Sequence, residues 1–453
     1  MKKIILLSTL AAGTVGAENL VDVLNVALEK DPQLKAAKFN QQATEENKKQ
    51  AFANFLPQVS GSWSKSESDS KTEYSDGSTS NPPKSESDGW TINLSQSIYD
   101  HANFIGLKQA DLQKAKGMAQ FDKAEQDFLI RLAQSYFDVL TNIDAVKFAE
   151  SEEKAIQRQL EQAEQRYEVG LAAITDVHEA RAQYDGSRAS VINARNQLDD
   201  SREALFEITR SHYTQLDALP ENIEEITLSE QDIQSWEKLA LSNNPDLGVA
   251  RIDAELADYT ADKQRSGHYP TVGLTASLSS NNSKGTTFIQ PSPDPNGSPV
   301  VTQFPDSQRD SNSISLNVNV PIFSGGRTSS LTRQAKLQYQ AAMENLDQTT
   351  FSTVRNVRNS LHNVEAGWSS VQARQLAVVS AKSAEEATAA GFEVGTRNIV
   401  EVLNSQRSLY QAQRDYSRAK HDYLMNILRL KRAAGILEQQ DIININGLLA
   451  SSQ

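Results

Sequence analysis

Residue types that could do bond-making chemistry are scarce in this chain of 453 residues. It has no cysteine, and its six histidines, at 101, 178, 212, 268, 362 and 421, show no metal-ligand spacing. Without thiolates there are no disulfides, no cysteine-zinc sites and no lipid-modified N-terminal cysteine. No nucleophile motif or phosphate loop is present. Ser324-Gly325-Gly326-Arg327 is glycine-rich, but after Pro321 it reads as a strand-to-helix bend. An enzyme, a metal site and a bound cofactor are therefore not expected. What remains is a pair of related stretches. One is Arg166-Tyr167-Glu168-Val169-Gly170-Leu171-Ala172-Ala173-Ile174-Thr175-Asp176-Val177; the other is Gly391-Phe392-Glu393-Val394-Gly395-Thr396-Arg397-Asn398-Ile399-Val400-Glu401-Val402. In each, a long helical pattern runs into a glycine and a second helical pattern begins a few residues later. Each predicts the tip of an antiparallel helical hairpin, with Gly170 and Gly395 where a reversal suits φ > 0.

The helices that carry these tips are very long. No proline interrupts 103–169 or 328–394. Roughly 65 residues at about 1.5 Å each reach about 100 Å, more than a compact domain needs. The return helices show a seven-residue stripe: Val177, Tyr184, Val191, Leu198 and Leu205, then Val402, Leu409, Tyr416, Tyr423 and Leu430. Val357, Val364, Val371 and Val378 continue it on the second long helix. A sustained heptad predicts left-handed coiled-coil packing, so these residues are core rather than a ligand box.

The chain is written twice. Ala27 to Leu34 with Pro32 answers Ala240 to Leu247 with Pro245, and Phe55-Leu56-Pro57-Gln58-Val59 answers His268-Tyr269-Pro270-Thr271-Val272. The two proline pairs share one offset, and the tip glycines are about a dozen residues farther apart. Four motifs in one order indicate an internal duplication. The expected division is a first repeat over 18–210, a linker and equatorial region over 211–267, a second repeat over 268–432 and an equatorial tail over 433–453.

Each repeat also predicts two strands, near 56–66 and 87–98 and near 270–280 and 311–322. Trp90, Ile92 and Leu94 alternate with Thr91, Asn93 and Ser95; Ile314, Leu316, Val318 and Val320 alternate with Ser315, Asn317 and Asn319. That pattern means one apolar and one wet face, as in a soluble sandwich or a membrane barrel. Long polar loops over 64–88 and 279–310 favour a barrel with its loops outside. Four strands cannot close one, and open edges are not tolerated in lipid. Strands in a membrane would have to be pooled by several chains.

Composition agrees. The hydrophobic fraction of 38% suits amphipathic helices better than a thick core. Lys2 and Lys3, the apolar run Ile4 to Leu10 and the small residues Val15-Gly16-Ala17 predict a cleaved signal peptide over 1–17. After it no stretch approaches the ~20 apolar residues of a membrane helix. The formal charge of −13, two units more negative once that segment is gone, argues against nucleic acid.

At this point the chain resembles the TolC family of outer-membrane efflux and secretion channels. The residues that carry the likeness are Tyr167-Glu168-Val169-Gly170-Leu171, Ile174-Thr175-Asp176-Val177 and Ala180 to Tyr184, with Val394 to Leu403 in the second copy. The resemblance implies a homotrimer with a twelve-stranded outer-membrane barrel, a periplasmic barrel of twelve helical strands and an equatorial belt. It implies three partners: a periplasmic adaptor (membrane fusion protein), an inner-membrane RND or ABC transporter, and outer-membrane lipid. It also implies a gate latch of Arg397 facing Thr175 and Asp176, a constriction at Glu401 and Asn404, and adaptor docking at Gly170, Leu171, Gly395 and Thr396. Two positions depart from the family pattern. Phe392 cannot donate where a tyrosine hydroxyl is usual, and Asn404 replaces the second of two acidic rings. A ring of Glu401 carboxylates alone would still attract cations. The rival reading is a soluble periplasmic coiled-coil adaptor, which would have one hairpin and no duplicated amphipathic strands.

Overall fold

A computed structural model describes residues 18–77, 79–80, 84–228, 232–290, 298 and 300–449. The expected signal peptide lies outside the described residues, as do parts of the two polar loops, residues 229–231 of the linker and the last residues of the tail. The chain divides into two compact units. One comprises Met1–Gln41, Gly117–Arg251 and Asn345–Gln453; the other comprises Gln42–Lys116 and Ile252–Glu344.

The elements run α1 Leu20–Lys30, α2 Pro32–Ala53, β1 Gln58–Ser68, β2 Thr72–Glu73, β3 Thr79–Ser80, β4 Ser85–Tyr99, α3 His101–Glu168 and α4 Ile174–Thr209. They continue with α5 Ile233–Asn243, α6 Pro245–Arg265, β5 Thr271–Ser283, β6 Thr286–Gln290, β7 Val300–Phe304 and β8 Ser307–Asn319, then α7 Arg327–Glu393, α8 Ile399–Ala433 and α9 Gln439–Asn446. Two proline-started helices show how sequence sets a boundary. Pro32 and Pro245 occupy the first helical position, where a missing N–H goes unneeded. The residues before them cap the helix: Asp31 Oδ2 accepts from the Leu34 N–H at 2.7 Å and Asn244 Oδ1 from the Leu247 N–H at 3.2 Å. No helix is long and apolar enough to cross a membrane among the described residues.

In the second unit, β1, β4, β5 and β8 form one antiparallel sheet in the order β1-β4-β5-β8. Its register puts Val59, Leu94, Ala276 and Ile314 in one row and Gly61, Ile92 and Leu278 in another. These rows share a face, while Ser60, Asn93, Ser277 and Ser313 line up on the opposite one. The apolar side chains are largely uncovered, with Trp63 69% and Ile314 81% exposed. Both outer strands, β1 and β8, lack a second neighbour among the described residues. The stretches 64–88 and 279–310, expected as loops, are largely strand. β1 pairs with β4 as far as Ser68 and Ser85, β5 with β8 as far as Ser283 and Ser307, and β2–β3 and β6–β7 are short hairpins beyond. Alternation stops there, since β1 and β4 turn polar on both sides and β6 and β7 mix apolar and polar residues without a period of two, yet the backbone ladder persists.

The first unit is helical. Its core gathers Leu20, Leu24, Phe128, Leu132, Tyr136, Trp236, Tyr423, Leu428 and Ile442. The heptad stripe is buried at Val177, Val191, Leu198 and Leu205 on α4, at Val402, Tyr423 and Leu430 on α8, and at Val357, Val364 and Val371 on α7. Between α4 and α5 the chain lies against α8. Tyr416 Oη donates to the Glu221 carbonyl at 3.0 Å, Lys420 Nζ donates to the Pro220 carbonyl at 2.8 Å, and the Ile226 N–H donates to Tyr423 Oη at 3.1 Å.

Candidate functional site: the two hairpin tips

Both tips belong to the first unit. At the first, termed the outer tip, α3 is followed by Gly170 at φ 74°, the Gly170 N–H bonding the Tyr167 carbonyl and the Leu171 N–H the Arg166 carbonyl at 2.7 Å. At the inner one, Gly395 has φ 78°, and the Thr396 N–H bonds the Gly391 carbonyl at 2.8 Å. These are helix endings of the left-handed glycine kind. Leu171 and Thr396 are exposed just past the two glycines, as is Val394 just before Gly395.

The helices that follow start differently. Asn398 caps α8: its Oδ1 accepts from the Glu401 N–H at 2.9 Å, and its Nδ2 donates to Glu401 Oε1 at 2.8 Å. Arg397 donates to Glu401 Oε2 at 2.6 Å. Glu401 thus sits in the first turn of a helix, where negative charge is favoured, with both carboxylate oxygens engaged. Ala173 begins α4 without a side-chain cap. Asp176, in the first turn of α4, makes no ion pair among the described residues, and Thr175 beside it is exposed.

The expected latch lies between neighbouring coils of an assembly, and one chain shows the partner that Arg397 has on its own. Within one chain the Arg397 guanidinium is on Glu401, one turn along its own helix, rather than on Thr175 or Asp176. The reason is reach: a residue just before a helix and one in its first turn are neighbours, and Asn398 already orients the carboxylate. The Glu401 charge is therefore compensated locally. Asn404 is exposed on the next turn of α8.

Phe392 has a partner that sequence reasoning missed. The Arg166 guanidinium lies over its ring, 4.9 Å from the centroid. The ring packs against a cluster of Ile156, Leu160, Ala163, Val177, Ala180, Ile399 and Leu403 from α3, α4 and α8, so that ring and cluster together join all four helices of the two hairpins. Gly391 has a steric role that its motif does not reveal. A Cβ there would stand 2.7 Å from Arg397 Cγ and 3.2 Å from Thr396 Oγ1. The missing side chain is the space that Arg397 occupies.

Farther up α8 a buried polar group surrounds His421. Thr141 Oγ1 donates to the Phe137 carbonyl at 2.8 Å, so it accepts from His421 Nδ1–H, also at 2.8 Å. Burial, and secondarily the charge on Lys420, push the His421 pKa down to about 3. Neutral imidazole stacked on Phe137 is a packing group here. No cluster of histidine, aspartate and glutamate able to hold a metal occurs among the described residues.

Compared with known proteins, the chain matches the outer membrane efflux protein family model over residues 23–209 and 236–436. It belongs to that family. The outer membrane protein TolC of Vibrio cholerae is 35% identical to it over 98% of each chain. The proteases secretion protein PrtF of Dickeya chrysanthemi is 27% identical, over 96% of this chain and 92% of PrtF. The crystal structure of the CmeC outer membrane channel of Campylobacter jejuni superposes with a TM-score of 0.71 at 16% identity, over 98% of this chain and 95% of CmeC, which shows a shared fold. As a TolC-like member of the outer membrane efflux protein family, the chain is a channel of the Gram-negative outer membrane, reaching into the periplasm. It serves as an exit duct and not as an enzyme. The adaptor reading is set aside.

Proposed function

We propose that three copies pool their sheets into one twelve-stranded outer-membrane barrel, continued through the periplasm by twelve helical strands and a belt at the linker and tail. The observation that carries this is the four-stranded sheet with two unpaired outer strands and an uncovered apolar face. In lipid such edges need partners, and a second copy supplies them. The order helix, helix, strand pair, long helix and return helix occurs twice, which supports an internal duplication.

In this assembly the tips form a gated entrance. Arg397, Thr175 and Asp176 are the polar latch between neighbouring coils, with Arg397 exchanging between its own Glu401 and a neighbour's Asp176. Glu401 and Asn404 line the constriction. Gly170, Leu171, Gly395 and Thr396 present the surface on which a periplasmic adaptor docks, bringing an RND or ABC transporter of the inner membrane. The likeness to PrtF, a proteases secretion protein, supports protein export, and membership of the outer membrane efflux protein family supports efflux.

Absence of cysteine makes the test clean. Single cysteines placed in β1 and in β8 of one chain should give covalent trimers on oxidation of membranes. A ladder ending at the monomer, from every pair scanned, would refute the pooled barrel.

A further inference from the structure

We infer that Arg166 is a gate residue of this chain, latching the outer hairpin to the inner one through the face of Phe392. The inference rests on the reading of the tips as an entrance that parts on opening. Arg166 closes α3, Phe392 closes α7, and the guanidinium stands 4.9 Å from the ring centroid. Among the described residues Arg166 makes no ion pair, so the ring is the partner that the structure gives its charge. Phe392 is itself wedged in the cluster of Ile156, Leu160, Val177, Ile399 and Leu403 that holds the hairpins together. A guanidinium over that ring caps the cluster from the solvent side.

The two tips explain why only one such arginine is present. Arg166 and Gly391 occupy equivalent places, four residues before Gly170 and Gly395. On the inner tip a side chain at that place would strike Arg397. On the outer tip the place is open, and its arginine reaches across. A phenylalanine in place of a hydroxyl donor therefore does not leave the joint empty. It replaces a directional bond with a cation–π contact, which depends on ring face and charge rather than on a proton.

The test is single-channel recording of the intact protein in planar bilayers, with heat-resistant trimer on gels as a check of assembly. Arg166→Gln and Phe392→Leu should each raise the open fraction about two- to five-fold per chain that acts alone, and about ten-fold or more when three act together. The double variant should open no more than either single, and Arg166→Lys should fall between. Phe392→Trp, with the stronger π face, should lower the open fraction, and only while Arg166 is present. That gain of closure would not follow from damage to folding. Singles that leave gating unchanged, or a double equal to the product of the singles, would overturn the assignment. If Arg397→Ser opens the channel while Arg166→Gln does not, the latch of Arg166 is refuted and the gated entrance stands. A wild-type chain that forms no channel refutes both.

Discussion

Arg397→Ser separates two roles of one side chain. Its guanidinium is 2.6 Å from Glu401, with 59% and 38% of the two side chains exposed. An exposed pair of this kind contributes only about 0 to 1 kcal/mol, so its loss should hardly alter stability. Its effect on charge is larger, because the Arg397–Glu401 pair goes from neutral to −1. If three such carboxylates ring an axis at ~8 Å, each attracts a monovalent cation by about 0.5 kcal/mol in water. Three sum to about 1.5 kcal/mol before screening. A Debye length of about 10 Å at 0.1 M salt leaves roughly half, and about 30 Å at 0.01 M leaves roughly three quarters. Cation occupancy should therefore rise about three-fold at 0.1 M and about seven-fold at 0.01 M, and since an anion is repelled equally, the cation-over-anion preference should rise about ten-fold and about fifty-fold. Reversal potentials under a salt gradient measure this, and block by divalent cations should strengthen in parallel. Resting conductance should rise too, through loss of the latch. Glu401→Ala should abolish the preference in both backgrounds. The reasoning is refuted if Arg397→Ser raises conductance while the reversal potential and divalent block stay at their wild-type values.

Two further outcomes follow from the same geometry. Gly391→Ala places a methyl 2.7 Å from Arg397 Cγ and, because it displaces a guanidinium that keeps its charge, should raise resting conductance with a smaller selectivity change than Arg397→Ser, whereas Gly248→Ala, with nothing within 4 Å, should leave the recordings unchanged. His421 is held neutral in the fold, with its pKa lowered from 6.5 to about 3. Above pH 6.5 it is uncharged folded or unfolded and contributes no pH dependence. Between about 6.5 and 3 only the unfolded chain takes the proton, so stability falls with acidification by up to about 1.4 kcal/mol per pH unit. His421→Asn, which keeps a donor for Thr141, should lower the thermal midpoint at pH 7 and narrow its gap to wild type as pH falls. A gap that is constant from pH 7 to 4 would count against a neutral imidazole.

Much of the architecture is legible in the residues because it rests on short-range rules. Gly170 and Gly395 mark reversals through the one conformation they alone adopt cheaply. The seven-residue stripe of α4 follows from helix geometry, and Trp90 to Leu94 betrays its strand by alternation. The rule fails where it has no signal: β6 and β7 lie in stretches without two unlike faces. At the tips, the pairing of Arg397 with Glu401 was available as a spacing of four residues, but the family pattern drew attention to Asp176 instead. The Arg166–Phe392 contact could not be read this way. It joins positions 226 apart in the numbering, through a fold that brings two helix ends together.

The apolar side chains of the helical unit are not one continuous mass. On α8, buried positions run densely from Ser417 to Leu430, stop, and resume only at Gln406, Leu403, Val402 and Ile399. The lower group is a separate cluster with its own members from α3 and α4. Prising it apart therefore exposes few residues and leaves the large core undisturbed, so on the proposed reading of the tips the opening step is uncoupled from the work of denaturing the chain.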